Sequence, residues 1–324
     1  MDANVSAITE EQLMNLKAGS FISGVLLIQS YSEKTTKNGK PYIDGMLQSG
    51  ASTLAFKCWN NSSAYTKLHS EEYSGVVAYV SGEVQEYQGM LSAVVGDVAA
   101  VDGFDISMFL KKRYNVDSYW AGLRDNYMSS LVSTKCMGLF DKIFSGDVLS
   151  AFKREFAAAG HHDNCLGGLL AHTYKMVMLG GAIPKLYPSL FTVQGEKEKS
   201  QDKVDIFLLG ICIHDIGKIM EMHLGVYQPC SRVTHRILGI EIIEPYKADI
   251  VEAYGEVAYY DLVSILVQHH DEYDDKARTV VAYAVFLLDN MESKFMGLQQ
   301  EVEERVMGTG NDARVRFDDH YLYL

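Results

Sequence analysis

The sequence predicts an α+β chain of two domains, a five-stranded β-barrel over residues 1–104 followed by an all-α helical bundle over 105–324. Three observations carry this. Up to Val101 the chain is a series of β-branched and aromatic runs separated by turn residues. From Asp105 onward apolar residues recur at helical spacing. A length of 324 residues suits two domains better than one.

The strand candidates, in order, are FISGVLLIQSYS, KPYIDGMLQSG, STLAFKCWN, SGVVAYVSGEVQEY and MLSAVVGDVAAV. Asn38-Gly39 and Gln88-Gly89 supply turns between them. The polar piece SSAYTKLHSEEY, between the third and fourth strands, is compatible with a helix. Five strands with a helix after the third is the layout of an OB-fold barrel. Lys34, Lys37 and Lys40 cluster around the loop joining the first two strands. Tyr31, Tyr42, Phe56, Trp59 and Tyr87 are aromatic candidates for stacking on bases, set against the ordinary reading that half or more are barrel core or plain surface. Phe56 alternates with Leu54 and reads as core, whereas Tyr42 lies beside the lysine-bearing loop. Lys37, Lys40, Tyr42 and Trp59 are the candidate nucleic-acid contacts.

The helical candidates include GDVLSAFKREFAAA, GGLLAHTYKMVMLGGAI, DKVDIFLLGICIHDIGKIMEM, THRILGIEIIEPY, EVAYYDLVSILVQHH and ARTVVAYAVFLLDNMESKFMGLQQEVEER. TVQGEKEKSQDK reads as an exposed connection, and the tail from Gly308 shows no clear period. Gly167-Gly168 reads as a close approach of two helices.

Composition excludes several classes. With 48% hydrophobic and 22% charged residues, the chain is that of a soluble globular protein. A net charge of −13 weighs against a non-specific duplex binder. Bound divalent cations would supply positive charge locally. The five cysteines are scattered and form no CxxC, which argues for reduced thiols in a cytoplasm rather than a zinc ribbon or disulfide framework. The N-terminus lacks the basic start and apolar run of a signal peptide. No run of about 18 apolar residues is present, so no membrane span is expected.

The chemistry centres on His214-Asp215, inside FLLGICIHDIGKIMEM. An unpaired carboxylate among so many apolar neighbours would cost several kcal/mol. A metal ion removes that cost, since imidazole suits transition metals and a carboxylate can bridge two of them. Lys218, one turn beyond Asp215, is placed to neutralise a phosphate. Eight of the ten histidines fall between His161 and His270. His172, His214, His235, the pair His269-His270 and Asp289 sit on successive helical candidates, and a bundle can aim such residues inward.

The order H…HD…H…HH…D resembles the HD-domain metal-dependent phosphohydrolases. HHDNCLGGLLAHT, HDIGK, THRILGIEII, VQHHDE and LLDNMESK, behind an OB-like domain, are similar to the YhaM-type 3′-5′ exoribonucleases. That resemblance covers nearly the whole chain. It implies an OB-fold followed by an HD-domain helical bundle. It implies two divalent metal ions, manganese favoured, with iron, cobalt, nickel and magnesium as alternatives. His172, His214, Asp215 and Asp289 would hold the first ion; Asp215, His235 and His269 would hold the second, with His270 the rival ligand. Asp215, Lys218, His270 and His162 are the catalytic candidates, the histidines as proton donors to the leaving group. The implied substrate is the 3′ end of single-stranded RNA, or DNA, giving nucleoside 5′-monophosphates. Three departures bear on substrate: the acidic, proline-free DEYDDKARTV follows the HH pair, Thr234 stands where glycine is usual, and the charged connection before Lys203 reads as a local expansion. The alternatives are a phosphohydrolase of a small nucleotide, favoured by that acidic segment, and a non-catalytic OB-fold binding module.

Overall fold

A computed structural model describes residues 5–158, 163–270, 276–307 and 314–323. The chain divides into two compact units, Met1–Lys112 and Arg113–Leu324.

The first unit is a closed five-stranded barrel: β1 (Phe21–Thr35), β2 (Pro41–Ser49), β3 (Ser52–Trp59), β4 (Val76–Tyr87) and β5 (Met90–Ala100). The strand order around it is β1-β2-β3-β5-β4. β3 and β5 pair in parallel, and the other pairings are antiparallel. Helix α1 (Ser63–Ser70) follows β3 and buries Ala64 and Leu68, with Ser62 capping its start by accepting from the Tyr65 amide. This is the OB-fold order. β1 reaches further than FISGVLLIQSYS, because one strand serves two neighbours. Its first half pairs with β4 and its second with β2, across a register shift between Ile28 and Ser30. Gly45 lies opposite that shift, where a Cβ would meet the Ser30 carbonyl oxygen at 2.5 Å. Ile22, Leu26, Ile28, Ile43, Leu47, Phe56 and Val80 fill the interior. Fully burying each such side chain contributes about 1.5–3 kcal/mol.

The second unit is helical. The helices that matter for the site are α2 (Gly146–Phe152), α3 (Gly168–Gly180), α4 (Gln201–Ile213), α5 (Lys218–Glu221), α6 (His235–Ile243), α7 (Glu256–Gln268) and α8 (Val280–Met307). α4 is buried continuously from Val204 to Ile213, so it is the central helix of the unit. α3, α7 and α8 pack against it.

The structure departs from the expected helices at two places. The helix expected over GDVLSAFKREFAAA ends at Phe152. Beyond it the buried Glu155 carboxylate accepts from the Phe156, Leu224 and Gly225 amides, an arrangement that draws the backbone out of the helix. The single helix expected over DKVDIFLLGICIHDIGKIMEM breaks at His214-Asp215-Ile216-Gly217, which form a turn between α4 and α5. The tail carries a hairpin, β6 (Arg314–Phe317) with β7 (His320–Tyr323), turned at Asp318 and Asp319, which both have positive φ. At Gly167-Gly168 the start of α3 is closely approached, a Cβ on Gly167 standing 2.6 Å from Val116 Cγ2 at the start of the helix Val116–Ala121. Gly167 takes φ +76°, and a Cβ on Gly168 would lie 1.9 Å from the Asp163 carbonyl oxygen.

Candidate metal centre

Five elements bring their polar residues to one point in the helical unit. His172 comes from the middle of α3, His214 and Asp215 from the turn after α4, His235 from the first position of α6, His269 and His270 from the end of α7, and Asp289 from α8. The turn is set by Gly217. A Cβ there would stand 1.9 Å from the His235 carbonyl oxygen and 2.5 Å from the Gly239 nitrogen, so only glycine lets α6 come this close. That approach delivers His235 to Asp215.

Asp215 is the hub. Its Oδ2 faces His214 Nε2 at 3.4 Å and His172 Nε2 at 3.9 Å. Its Oδ1 faces His235 Nε2 at 3.4 Å and His269 Nε2 at 3.5 Å. Asp289 Oδ1 lies 3.2 Å from His172 Nε2. His270 Nε2 is 3.3 Å from His235 Nε2. His172, His214, Asp215 and His269 are essentially out of contact with solvent.

The outer ring nitrogens explain the orientation. His214 Nδ1 is 2.8 Å from the Ile211 carbonyl, and His269 Nδ1 is 3.1 and 3.0 Å from those of Ile265 and Leu266. His172 Nδ1 lies 2.5 Å from Glu292 Oε2, and His235 Nδ1 3.0 Å from Glu221 Oε2. Each partner is an acceptor, so each Nδ1 is the donor and each Nε2 is presented to the cluster. Lone pairs and a carboxylate therefore face one another. His172 Nε2 and His214 Nε2 are 3.3 Å apart. Among the described residues, Asp215 Oδ1 and His269 Nε2 have no hydrogen-bond partner. A buried acceptor left so costs about 1–3 kcal/mol. A cation is what such a convergence of acceptors fits. Two ligand groups are within reach of one ion each: His172, His214 and Asp289, and His235, His269 and His270.

The electrostatics set His172 apart from His269 and His270. Burial opposes ionisation of Asp215, but Lys218 and the facing histidines outweigh it and hold the carboxyl well below its usual range. Burial also works against a charged His172, yet Asp289 and Glu292 raise it to about 10, so its surroundings favour positive charge. Burial pushes His269 down. Burial and the neighbouring His269 push His270 down to about 3.

The other candidates are placed as follows. Lys218 Nζ donates to Asp215 Oδ2 at 2.6 Å and to the Ala157 carbonyl at 2.7 Å, so its charge is engaged by the cluster itself. His162 lies outside the described residues. Lys37 and Lys40 are exposed in the loop between β1 and β2. Tyr42 and Trp59 are register partners on β2 and β3, with ring centroids 5.5 Å apart and Trp59 40% exposed. Tyr31 is occupied: its hydroxyl sits against the Leu68 and Glu71 carbonyls and accepts from the Tyr73 amide. Phe56 is core. Sequence reasoning missed Glu292 and Glu221. The signal for Glu292 was its position three residues after Asp289, on the same face of α8.

The fold and site define a class: an OB-type barrel joined to a helical unit that gathers imidazoles and carboxylates around one aspartate. No protein-family model matches the chain. Its sequence is similar to curated proteins described as 3′-5′ exoribonuclease YhaM. The one from Listeria monocytogenes serotype 4b is 24% identical over 273 residues, 81% of this chain and 80% of the relative. That from Shouchella clausii is 22% identical over 318 residues, 95% and 94% of the two chains. Among solved structures, the mitochondrial single-stranded DNA binding protein Rim1 of S. cerevisiae aligns over 28% of this chain and 100% of its own, at 21% identity and TM-score 0.24. A chain of a replication protein A heterotrimer bound to single-stranded DNA covers 31% and 84%, at 16% identity and TM-score 0.24. Among the described residues, no helix is long and apolar enough to cross a membrane.

Proposed function

We propose that this chain is a metal-dependent 3′-5′ exonuclease of the HD type that shortens single-stranded RNA, and DNA of the same form, releasing nucleoside 5′-monophosphates. The observation that carries the metal half is the convergence of histidine Nε2 atoms on both oxygens of Asp215. The relatives described as 3′-5′ exoribonuclease YhaM support the substrate half.

His172, His214, Asp215 and Asp289 would hold one divalent ion. His235 and His269, with His270 beside them, would hold a second across Asp215. Imidazole and carboxylate donors without thiolate favour manganese, with iron, cobalt, nickel and magnesium as alternatives. When bound, two such ions polarise a phosphoryl oxygen and lower the pKa of a coordinated water. The chain's own residues do the rest. Lys218 offsets the charge of Asp215 and ties the turn to Ala157, which keeps the hub in place. Glu221 fixes the His235 ring through both its backbone amide and Nδ1. His270, neutral at ordinary pH, suits a ligand or proton acceptor better than an acid. Protonation of the leaving oxygen is then assigned to His162. Tyr42 and Trp59 offer stacking faces, with Lys37 and Lys40 at the adjacent loop tip for phosphates. The scattered cysteines, without a CxxC, favour a cytoplasmic location.

The test is incubation of the purified chain with 5′-labelled single-stranded RNA and manganese. A progressive ladder is expected, abolished in Asp215→Ala. Endonucleolytic fragments, or turnover confined to mononucleotides, would overturn the exonuclease reading.

A further inference from the structure

The four imidazoles that face Asp215 are not held alike. His214 and His269 point their outer nitrogens at main-chain carbonyls. His172 has a buried carboxylate instead, Glu292, which is 2% exposed. Glu292 Oε1 faces Lys175 Nζ at 2.9 Å. The same ammonium lies 2.8 Å from Oδ2 of Asp163, whose other oxygen accepts from the Tyr114 hydroxyl. Asp163, His172 and Glu292 themselves fall within the reach of a single ion. Lys175 already supplies the positive charge there, and Glu292 Oε2 is taken by the His172 ring. That group is therefore a built support, not a further metal site.

We propose that Glu292, paired with Lys175, is the positioning residue of His172: it accepts the Nδ1 hydrogen bond and so aims Nε2 at the metal cluster. An ionised acceptor also makes the ring a stronger electron donor than a carbonyl does. Burying a carboxylate to orient one ring is costly unless it is paired, and here Glu292 has the His172 ring on Oε2 and the Lys175 ammonium 2.9 Å from Oε1, a contact that is an ion pair rather than a hydrogen bond. The shared lysine gives the arrangement a second consequence. Asp163 directly follows His161-His162 in the sequence and takes a left-handed backbone, φ +54°. One ammonium thus fastens both Asp163 and the residue that orients His172.

This rests on the metal reading above. The experiment is calorimetric titration of the metal-stripped full chain with manganese alone, for the wild type, Glu292→Gln and Glu292→Ala, beside thermal unfolding of each metal-stripped protein. The visible absorption bands of the cobalt-loaded proteins are recorded in parallel. Glu292→Ala is expected to weaken manganese binding about 10- to 100-fold. Glu292→Gln keeps an acceptor and the side-chain shape but loses the charge, so it weakens binding by a smaller factor and shifts the cobalt bands. Should Glu292→Ala fail to fold, Glu292→Gln decides alone. Wild-type affinity and unshifted cobalt bands in Glu292→Gln would overturn the assignment while leaving the metal centre standing. A wild type that binds no manganese would overturn both.

Discussion

Replacing Gly217 with alanine tests how the site is assembled without touching any of its donors. The new Cβ would lie 1.9 Å from the His235 carbonyl oxygen, 2.5 Å from the Gly239 nitrogen and 2.8 Å from the His235 carbonyl carbon. All three are backbone atoms, so no side chain can swing away. Restoring an ordinary contact of about 3.5 Å requires α6 to retreat by about 1.5 Å. His235 is the first residue of α6 and would move with it, away from Asp215 Oδ1. Overpacking of this kind costs about 1–3 kcal/mol, which for a unit of this size lowers Tm by roughly 2–12 °C. A misplacement of about 1 Å at a reacting centre costs roughly 100-fold in rate. The assays are differential scanning calorimetry, manganese stoichiometry, and the initial rate on labelled single-stranded RNA. The expected result is a folded protein of lower Tm, with weakened binding of one metal equivalent and turnover down about 100-fold or more. A Gly217→Ala protein with wild-type Tm and wild-type rate would refute the close approach of α6 as the device that completes the site.

Other outcomes follow from the barrel. Trp59→Ala and Tyr42→Ala should each weaken single-stranded RNA binding by about 1–3 kcal/mol for a base that loses its stacking partner; fluorescence anisotropy measures this, with manganese content unchanged. Phe56→Ala empties part of the barrel core and should cost about 3–5 kcal/mol, read from urea unfolding of the full chain. Asp97 accepts from Lys67 Nζ at 2.8 Å and from the Ser63 hydroxyl at 3.0 Å, and the Lys67 hydrogen bond holds its carboxyl below the ordinary 3.8. A depressed carboxylate stabilises the fold above its unfolded value and loses that contribution as pH falls through its folded value. Wild type should therefore exceed Asp97→Asn in Tm at neutral pH, and the gap should close as pH drops below 3.8. Both groups are more than a third exposed, so the gap corresponds to less than about 1 kcal/mol. A gap that widens in acid would contradict the pairing.

The barrel was legible because alternation and turn chemistry agree there. Leu54, Phe56 and Cys58 point inward while Lys57 and Trp59 do not, and Gln88-Gly89 has the positive φ its sequence suggests. The donors of the helical unit were legible for a different reason. Histidine or aspartate inside a run such as LLGICIHDIG or VFLLDNM has no ordinary place to go. What the sequence hid was decided by tertiary contact. Apolar periodicity runs unbroken through Ile213 and Ile216, so nothing local announces the turn at His214; the approach of α6 to Gly217 imposes it. Glu292 and Glu221 look like the solvent-facing glutamates of any amphipathic helix, and only burial against a histidine distinguishes them. The C-terminal hairpin was missed because four-residue strands are too short for their alternation to stand out, although Asp318-Asp319 carried the turn signal.

The two kinds of anchor behind the imidazoles are distributed evenly. Of the pair facing Asp215 Oδ2, His214 rests on a main-chain carbonyl and His172 on Glu292; of the pair facing Oδ1, His269 rests on main chain and His235 on Glu221. Each half of the cluster thus owns one donor that point mutation cannot easily release and one whose strength a single codon can retune. If the cluster holds metal as proposed, its affinity would be tuned through residues 292 and 221, one in each half, while the main-chain-anchored histidines hold their orientation.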